Sequence, residues 1–354
     1  MDAHLTWIIL VMVANKKQEK LKPSPQNHIW SWLNLLLTAV LVGVGIWYIA
    51  QRVTLAELVD ALKNANPLLI ILSCVSIIVT LIIKAWRWQL LLSQPDDKPA
   101  FAPLFWAFNL GSYVNLILPF LRMGEIARLF AADWMVQIGK ARALGTIVVE
   151  KILDLMMLAL TLLVILPFVI LPEFVENPLP MVTAVSLASG FVLYILAFHP
   201  KRVIHLSRRV SRLLPSKLEK RVNHWFVAGL EGLNALHHQK QIVIIISLSL
   251  LLAFSAVLSP FLLFSAFHLK LGLLEAALLN LVVTLAIAPP STPGKIGILN
   301  GTTALVLLSL GIHDEAVLVS YSTVYYLVIV LPIITFGSLA VSRTKWKWQR
   351  PDES

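Results

Sequence analysis

The chain has 354 residues, of which 58% are apolar and 14% charged, and a mean hydropathy of +0.80. Soluble domains carry about 25% charged residues, so this much apolar surface cannot all be buried in one water-facing globule and belongs in lipid. The 29 Lys and Arg against 19 Asp and Glu give a net charge of +10, which in a membrane protein points to cytoplasmic loops and anionic head groups rather than nucleic acid. Cys74 is the only cysteine; an intramolecular disulfide is excluded and a thiolate metal site is not expected.

In chain order, residues 5–13 are apolar but too short to span, and no basic segment precedes them, so they read poorly as a signal peptide. Met12 is followed by Val-Ala-Asn-Lys-Lys-Gln-Glu-Lys, which makes it a candidate alternative start. Residues 1–28 are expected to be a cytoplasmic leader, 29–341 a single transmembrane domain and 342–354 a basic cytoplasmic tail. A spanning helix needs about 20 mainly apolar residues; the candidates are 30–50, 67–92, 143–171, 180–198, 241–267 and 317–341. Between 198 and 241 lies a basic loop, 199–240, the longest polar stretch, which alternates basic and apolar residues and is expected to lie on the anionic membrane surface.

Two further apolar regions are interrupted. Residues 101–140 break at Pro119-Phe-Leu-Arg-Met-Gly124, and residues 273–311 break at Pro289-Pro-Ser-Thr-Pro-Gly294. Proline removes a donor and clashes one turn back, and each resulting half is short for a full crossing. Both regions are predicted to be helix–break–helix units, re-entrant or steeply packed. Proline-kinked ordinary spans are the simpler alternative.

Lys and Arg cluster in the leader (Lys16, Lys17, Lys20, Lys22), in the central loop from Lys201 to Arg221 and in the tail (Arg343, Lys345, Lys347, Arg350). The opposite-side segments offer Arg52, Lys63 and Lys270. The positive-inside rule therefore puts both termini and the central loop in the cytoplasm. The two broken units then dip in from opposite faces, one in each half, as in inverted-repeat transporters. Broken helices at membrane depth are tolerated where they face protein or a wet cavity, so a cavity is expected near both breaks.

Around the first break, Arg122, Glu125 and Arg128 recur at three-residue spacing on one helical face. Charges at this depth are costly and line a pathway or pair with each other. A guanidinium beside the free N–H groups of a helix start suits a phosphate; an interfacial Arg–Glu–Arg anchor fits the charge pattern equally well. Glu150 and Asp154 share a face of the next apolar helix and are expected to pair with Arg122 or Arg128, with Asp133 joining the network; solvated helix-end charge is the alternative. The second break supplies Ser291, Thr292, Lys295 and Asn300 as hydrogen-bonding groups. Lys84, Trp86, Arg87 and Trp88, like Trp346 and Trp348, read as an interfacial anchoring belt. His237-His238 has no third ligand nearby and Asp96-Asp97 precedes Lys-Pro, so both are expected to be loop or turn. No metal and no cofactor is predicted.

The pattern Pro119-x-x-Arg122-x-Gly124-Glu125-x-x-Arg128, followed by Val-Glu150-x-x-x-Asp154, resembles the transmembrane flippase-like domain of lysylphosphatidylglycerol synthases, which also occurs as a stand-alone family of membrane proteins. A second signature of that family is similar to Pro290, Pro293, Gly294 and Gly297. Two positions depart from it: Lys295 stands where the family usually has glycine, and Asn300 where it has glutamate. Losing that acid weakens any mechanism in which a second-half carboxylate balances a cationic head group or carries a proton. In the full synthases aminoacyl transfer belongs to a soluble domain after the membrane part. The resemblance thus implies lipid translocation or handling rather than catalysis.

The expectation is an all-α polytopic protein of the cell membrane with two pseudo-symmetric halves. It would move a polar or phosphate-bearing lipid, a phospholipid or a polyprenyl-type lipid, between leaflets. Arg122 would hold the phosphate, while Glu125, Glu150 and Asp154 orient it. No nucleotide-binding motif is present, so an ion gradient, a lipid gradient or neither would drive the movement. An accessory role beside a separately encoded lipid-modifying enzyme is the main rival. A membrane-embedded lipid-carrier transferase is a weaker one, since no metal-binding carboxylate cluster or nucleophile–base pair is found.

Overall fold

A computed structural model describes residues 65–94, 97–118, 123–168, 239–289 and 292–343, together with positions 184, 188 and 191. The leader 1–28, the expected span 30–50, nearly all of 180–198, the loop 199–238 and the tail from 344 lie outside the described residues. So do Pro119, Arg122, Pro290 and Ser291.

The described residues form eight α-helices and no strand ladder. They are α1 (Pro67–Leu92), α2 (Phe101–Ile117), α3 (Met123–Val136), α4 (Lys140–Ile165), α5 (Gln239–Ala266), α6 (Leu273–Ala286), α7 (Ile298–Ser309) and α8 (Glu315–Arg343). The boundaries follow local chemistry. Asn66 caps α1 by accepting from the Leu68 N–H at 3.0 Å, with Pro67 at the first helical position. α2 ends at Ile117, two residues before Pro119, as the restriction on pre-proline residues requires. α7 ends at Ser309, and Gly311, just beyond the Leu310 cap, takes φ +87° while the Ile312 N–H returns to the Leu307 carbonyl at 3.0 Å.

α1, α5 and α8 are long and apolar enough to cross a membrane. α4 has the same 26-residue length as α1 but carries Glu150, Lys151 and Asp154. α2 and α3, and likewise α6 and α7, are the halves of the two broken units, with 17, 14, 14 and 12 residues. Large apolar side chains lie on the outside: Leu68, Ile71, Leu72, Val75, Val79, Ile82 and Trp86 form an exposed stripe along α1. Its polar residues Ser73, Ser76, Thr80 and Arg87 are buried. A patch of this kind would aggregate in water and is the expected surface in lipid.

The helices fall into two sets of four with the same packing plan. α1 packs on α2, α2 on α3, α3 on α4 and α1 on α4; α5 packs on α6, α6 on α7, α7 on α8 and α5 on α8. Between sets, α2–α8 is matched by α6–α4 and α1–α8 by α5–α4, while α1 and α5 meet each other. That central contact is antiparallel. The Asn66 N–H donates to the Ala266 carbonyl at 2.9 Å at one end, and the Arg87 guanidinium donates to Ser249 Oγ at 3.1 Å towards the other. Between them Ser73 Oγ donates to the Ser259 carbonyl, Ser76 Oγ to the Ser255 carbonyl, and Thr80 shares a hydrogen bond with Ser255. Small and hydroxylated residues are what hold spanning helices together where lipid offers no hydrophobic drive. The two halves therefore run through the bundle in opposite directions. Two apolar cores result, one centred on Leu81, Trp88, Leu104 and Phe108 and joined by Ala340 of α8, the other centred on Leu278, Leu299, Val306 and Tyr321 and joined by Leu116, Leu162 and Ile165 of the first set.

Candidate functional site

The first broken unit closes tightly on itself. Gly111 of α2 and Gly124 of α3 let the backbones touch: a Cβ on Gly124 would lie 2.1 Å from the Gly111 carbonyl oxygen and 2.4 Å from the Asn115 carboxamide. Asn115 then stitches across the break. Its Oδ1 accepts from the Gly124 N–H at 2.8 Å, satisfying a donor that the start of α3 leaves open. Its Nδ2 donates to Glu125 Oε2, also at 2.8 Å. The other Glu125 oxygen meets Lys151 Nζ of α4 at 3.1 Å.

Arg128, one turn further, turns inward. Its terminal nitrogens donate to the two Glu150 oxygens at 3.1 and 2.5 Å, with side-chain exposures of 5% and 3%. The guanidinium lies 3.7 Å from the centre of the Trp88 ring and 4.6 Å from that of Phe108. Trp88 is fixed in turn by its indole N–H, which donates to Thr146 Oγ1 at 3.1 Å. This is a bidentate, aromatic-walled pair that consumes its own charges.

Asp154 is held by Arg87 Nη2 at 2.5 Å, and the two differ sharply in exposure: 1% for Arg87 and 38% for Asp154. The guanidinium sits behind the carboxylate, which faces open space. Lys84, one turn before Arg87 on the same face of α1, lies within electrostatic reach of Asp154, Lys151, Arg87 and Glu150. It makes no hydrogen bond or ion pair among the described residues.

Two expectations are corrected. Arg87 and Trp88 are no interfacial belt: both are buried, and they form the inner wall of the charged cluster, while Trp86 alone of that run is exposed. Helical periodicity is the reason, since residues 86 and 88 point to opposite sides of α1. Asp133 does not join the network. It accepts from the Gly139 N–H at 3.0 Å and faces Lys140 at 3.9 Å, closing the α3–α4 turn. Glu150 pairs with Arg128 as one of its two expected partners, whereas Asp154 pairs with Arg87. Asp97 sits in a tight turn with Gln94 and pairs with Arg142 at 2.7 Å, while Arg142 also donates to the Leu92 carbonyl.

The second break is a 3₁₀ turn, Pro293–Lys295, packed against α2, so it adjoins the first broken unit. Gly294 and Gly297 take φ +70° and +79°, and Lys295 takes +59°, a region that only glycine enters without cost. Thr292 Oγ1 donates to the Ile296 carbonyl at 2.7 Å and so braces the turn. Asn300 Oδ1 is buried without a partner among the described residues.

The residues that sequence reasoning passed over are Lys84, Arg87, Asn115 and Lys151 as members of one cluster. Their signal was present in part: Lys84 and Arg87 share a face, and Asn115 is a polar residue just before a helix break.

The family model for the lysylphosphatidylglycerol synthase TM region matches residues 32–337. A UPF0104 membrane protein of Methanothermobacter thermautotrophicus is 22% identical over 279 residues, covering 74% of this chain and 82% of that protein. A second UPF0104 membrane protein, from Methanocaldococcus jannaschii, is 31% identical over 124 residues, covering 34% of this chain and 37% of its relative. The chain thus spans little more than a third of that relative's length. No solved structure matches. With the match running through both breaks and every described helix up to most of α8, the chain is an all-α membrane protein belonging to the lysylphosphatidylglycerol synthase transmembrane-region family.

Proposed function

We propose that the protein translocates or handles a polar, phosphate-bearing lipid at the charged cluster formed by α1, α3 and α4. The observation that carries this reading is a set of three ion pairs, Arg128–Glu150, Arg87–Asp154 and Lys151–Glu125, assembled from three helices of a lipid-facing bundle. Charges in such a place mark a pathway or a binding site. The pairs divide the work. Arg128 and Glu150 are closed on each other and hold the frame, whereas Asp154 and the Lys151–Glu125 pair present partly exposed polar atoms to a head group. Arg122 would grip the phosphate at the break, and Thr292, Lys295, Ser291 and Asn300 would contribute polar contacts from the second unit.

Halves that run in opposite directions around an antiparallel α1–α5 contact support alternating exposure of the site to the two leaflets. The lipid would be a membrane phospholipid or a polyprenyl-type lipid, in the cell membrane, with both termini cytoplasmic as the basic loops favour. On this reading the chain itself is not an enzyme and needs no cofactor. Lipid mass spectrometry on gently purified protein tests it, comparing wild type with an Arg122→Ala, Glu125→Gln double variant. One lipid class enriched on wild type and lost from the variant is the expected result. Identical bulk lipid on both would overturn the site and favour an accessory subunit of a lipid-modifying enzyme, which co-purification would then reveal.

A further inference from the structure

Among the described residues the charged cluster does not balance. Arg128, Arg87 and Lys151 each have a carboxylate of their own, and Glu125, Glu150 and Asp154 are each taken. Lys84 is the fourth cation, and none of the cluster's acids forms an ion pair with it, although Asp154 and Glu150 lie within its electrostatic reach. It lies eight residues before the end of α1, which at 1.5 Å per residue is roughly 12 Å inside the helix end. It is half-buried there, deeper than a lysine stem readily snorkels from. The adjoining second break adds no acid either. Between Glu275 and Asp314 the only Asp, Glu, Lys or Arg is Lys295, and Asn300 supplies an amide.

We infer that the site selects lipids whose head group carries a net negative charge, a phosphate ester without a compensating cationic group, and that Lys84 meets that excess charge together with Arg122. The inference rests on the lipid reading above and narrows it to a charge class. An uncompensated ammonium at this depth is costly until an anion arrives. A phosphate supplies the missing partner through a charge-assisted hydrogen bond. A zwitterionic head would bring its own cationic group towards the unpaired Lys84, and an aminoacylated, cationic head would fare worse.

The test is thermal unfolding of the full chain in detergent, titrated with dioctanoyl phosphatidic acid, dioctanoyl phosphatidylcholine and inorganic phosphate. Wild type, Lys84→Gln and Lys84→Arg are compared. Wild type is expected to bind the anionic lipid about tenfold more tightly than the zwitterionic one, a difference of about 1.4 kcal/mol. Lys84→Gln should lose that preference while still binding phosphatidylcholine, and Lys84→Arg should keep it. Equal binding of the two lipids by wild type, or an unchanged preference in Lys84→Gln, overturns the charge selection and leaves the lipid reading standing. Inorganic phosphate binding as tightly as the lipid, with the same dependence on Lys84, would make the ligand a free anion and overturn the lipid assignment. Absence of any lipid-induced shift in wild type overturns the lipid reading itself. If Lys84→Gln does not fold, the wild-type preference and the Lys84→Arg titration still decide.

Discussion

Ser73 and Ser259 share a hydrogen bond of 2.9 Å across the α1–α5 contact although 186 residues separate them. They sit on the seam about which the two four-helix sets are related, and their pairing fixes α1 and α5 as antiparallel. With Cys74 replaced by Ala, a Ser73→Cys, Ser259→Cys pair should form a disulfide under mild oxidation, since hydroxyls in contact put their Cβ atoms near bridging distance. A Ser73→Cys, Ser249→Cys pair should not, because Ser249 lies beside Arg87. Gel mobility before and after reduction reads the outcome, and the reverse pattern would refute the antiparallel seam.

The Arg128–Glu150 pair is buried on both sides and walled by Trp88 and Phe108. Removing one partner leaves a lone charge in an apolar setting, so Glu150→Gln is expected to cost about 3–5 kcal/mol of stability. An Arg128→Met, Glu150→Met double variant should recover much of that loss while keeping the packing volume. Thermal unfolding in one detergent compares the three. A single variant as stable as wild type would show that the pair is not closed.

Gly124 is expected to tolerate nothing larger. Its Cβ would overlap the Gly111 carbonyl, so Gly124→Ala should push α3 away from α2 and lower the unfolding temperature by several degrees. Gly301 within α7 has open space around it, and Gly301→Ala should hold or raise stability, by up to about 1 kcal/mol. The pair of variants separates close approach from helix propensity.

Lys295 occupies left-handed backbone at φ +59°. Such a residue costs about 1–2 kcal/mol relative to glycine there, partly offset by the extra chain entropy that glycine loses. Lys295→Gly should therefore stabilise the protein by about 0.5–1 kcal/mol, measured by the same unfolding assay; a loss of stability would mean that the lysine side chain holds the turn.

Much of this architecture is legible in the sequence. The apolar run 67–92 has the bounds of α1, and both breaks fall where the apolar runs are interrupted by proline, because a missing donor ends a helix wherever it sits. Within the charged signature, Arg128 pairs with Glu150 as expected, while Arg122 lies outside the described residues. What stayed hidden was partner choice. The sequence places Arg87 and Trp88 among aromatic and basic neighbours that look like an anchoring belt, and only the packing of α1 against α2, α4 and α5 turns that face inward. Asp133 failed for the opposite reason: a local turn with Gly139 was available, and short-range closure competes well with distant pairing. Loop charges point to opposed halves, but their seam of serines, spaced along α1 and α5 at ordinary helical intervals, carries no signature that distinguishes it from any small-residue face.

Lipid movement at the charged cluster is the core of the proposed function. Its most direct measurement is inter-leaflet movement of a labelled anionic phospholipid in vesicles reconstituted with wild type, with an Arg122→Ala, Asp154→Asn variant, or without protein. Wild type should exceed protein-free vesicles, and the variant, inserted to the same level, should fall at least about tenfold towards the empty rate, the equivalent of about 1.4 kcal/mol at the site. Wild-type vesicles no faster than empty ones, or a variant as fast as wild type, would contradict the account.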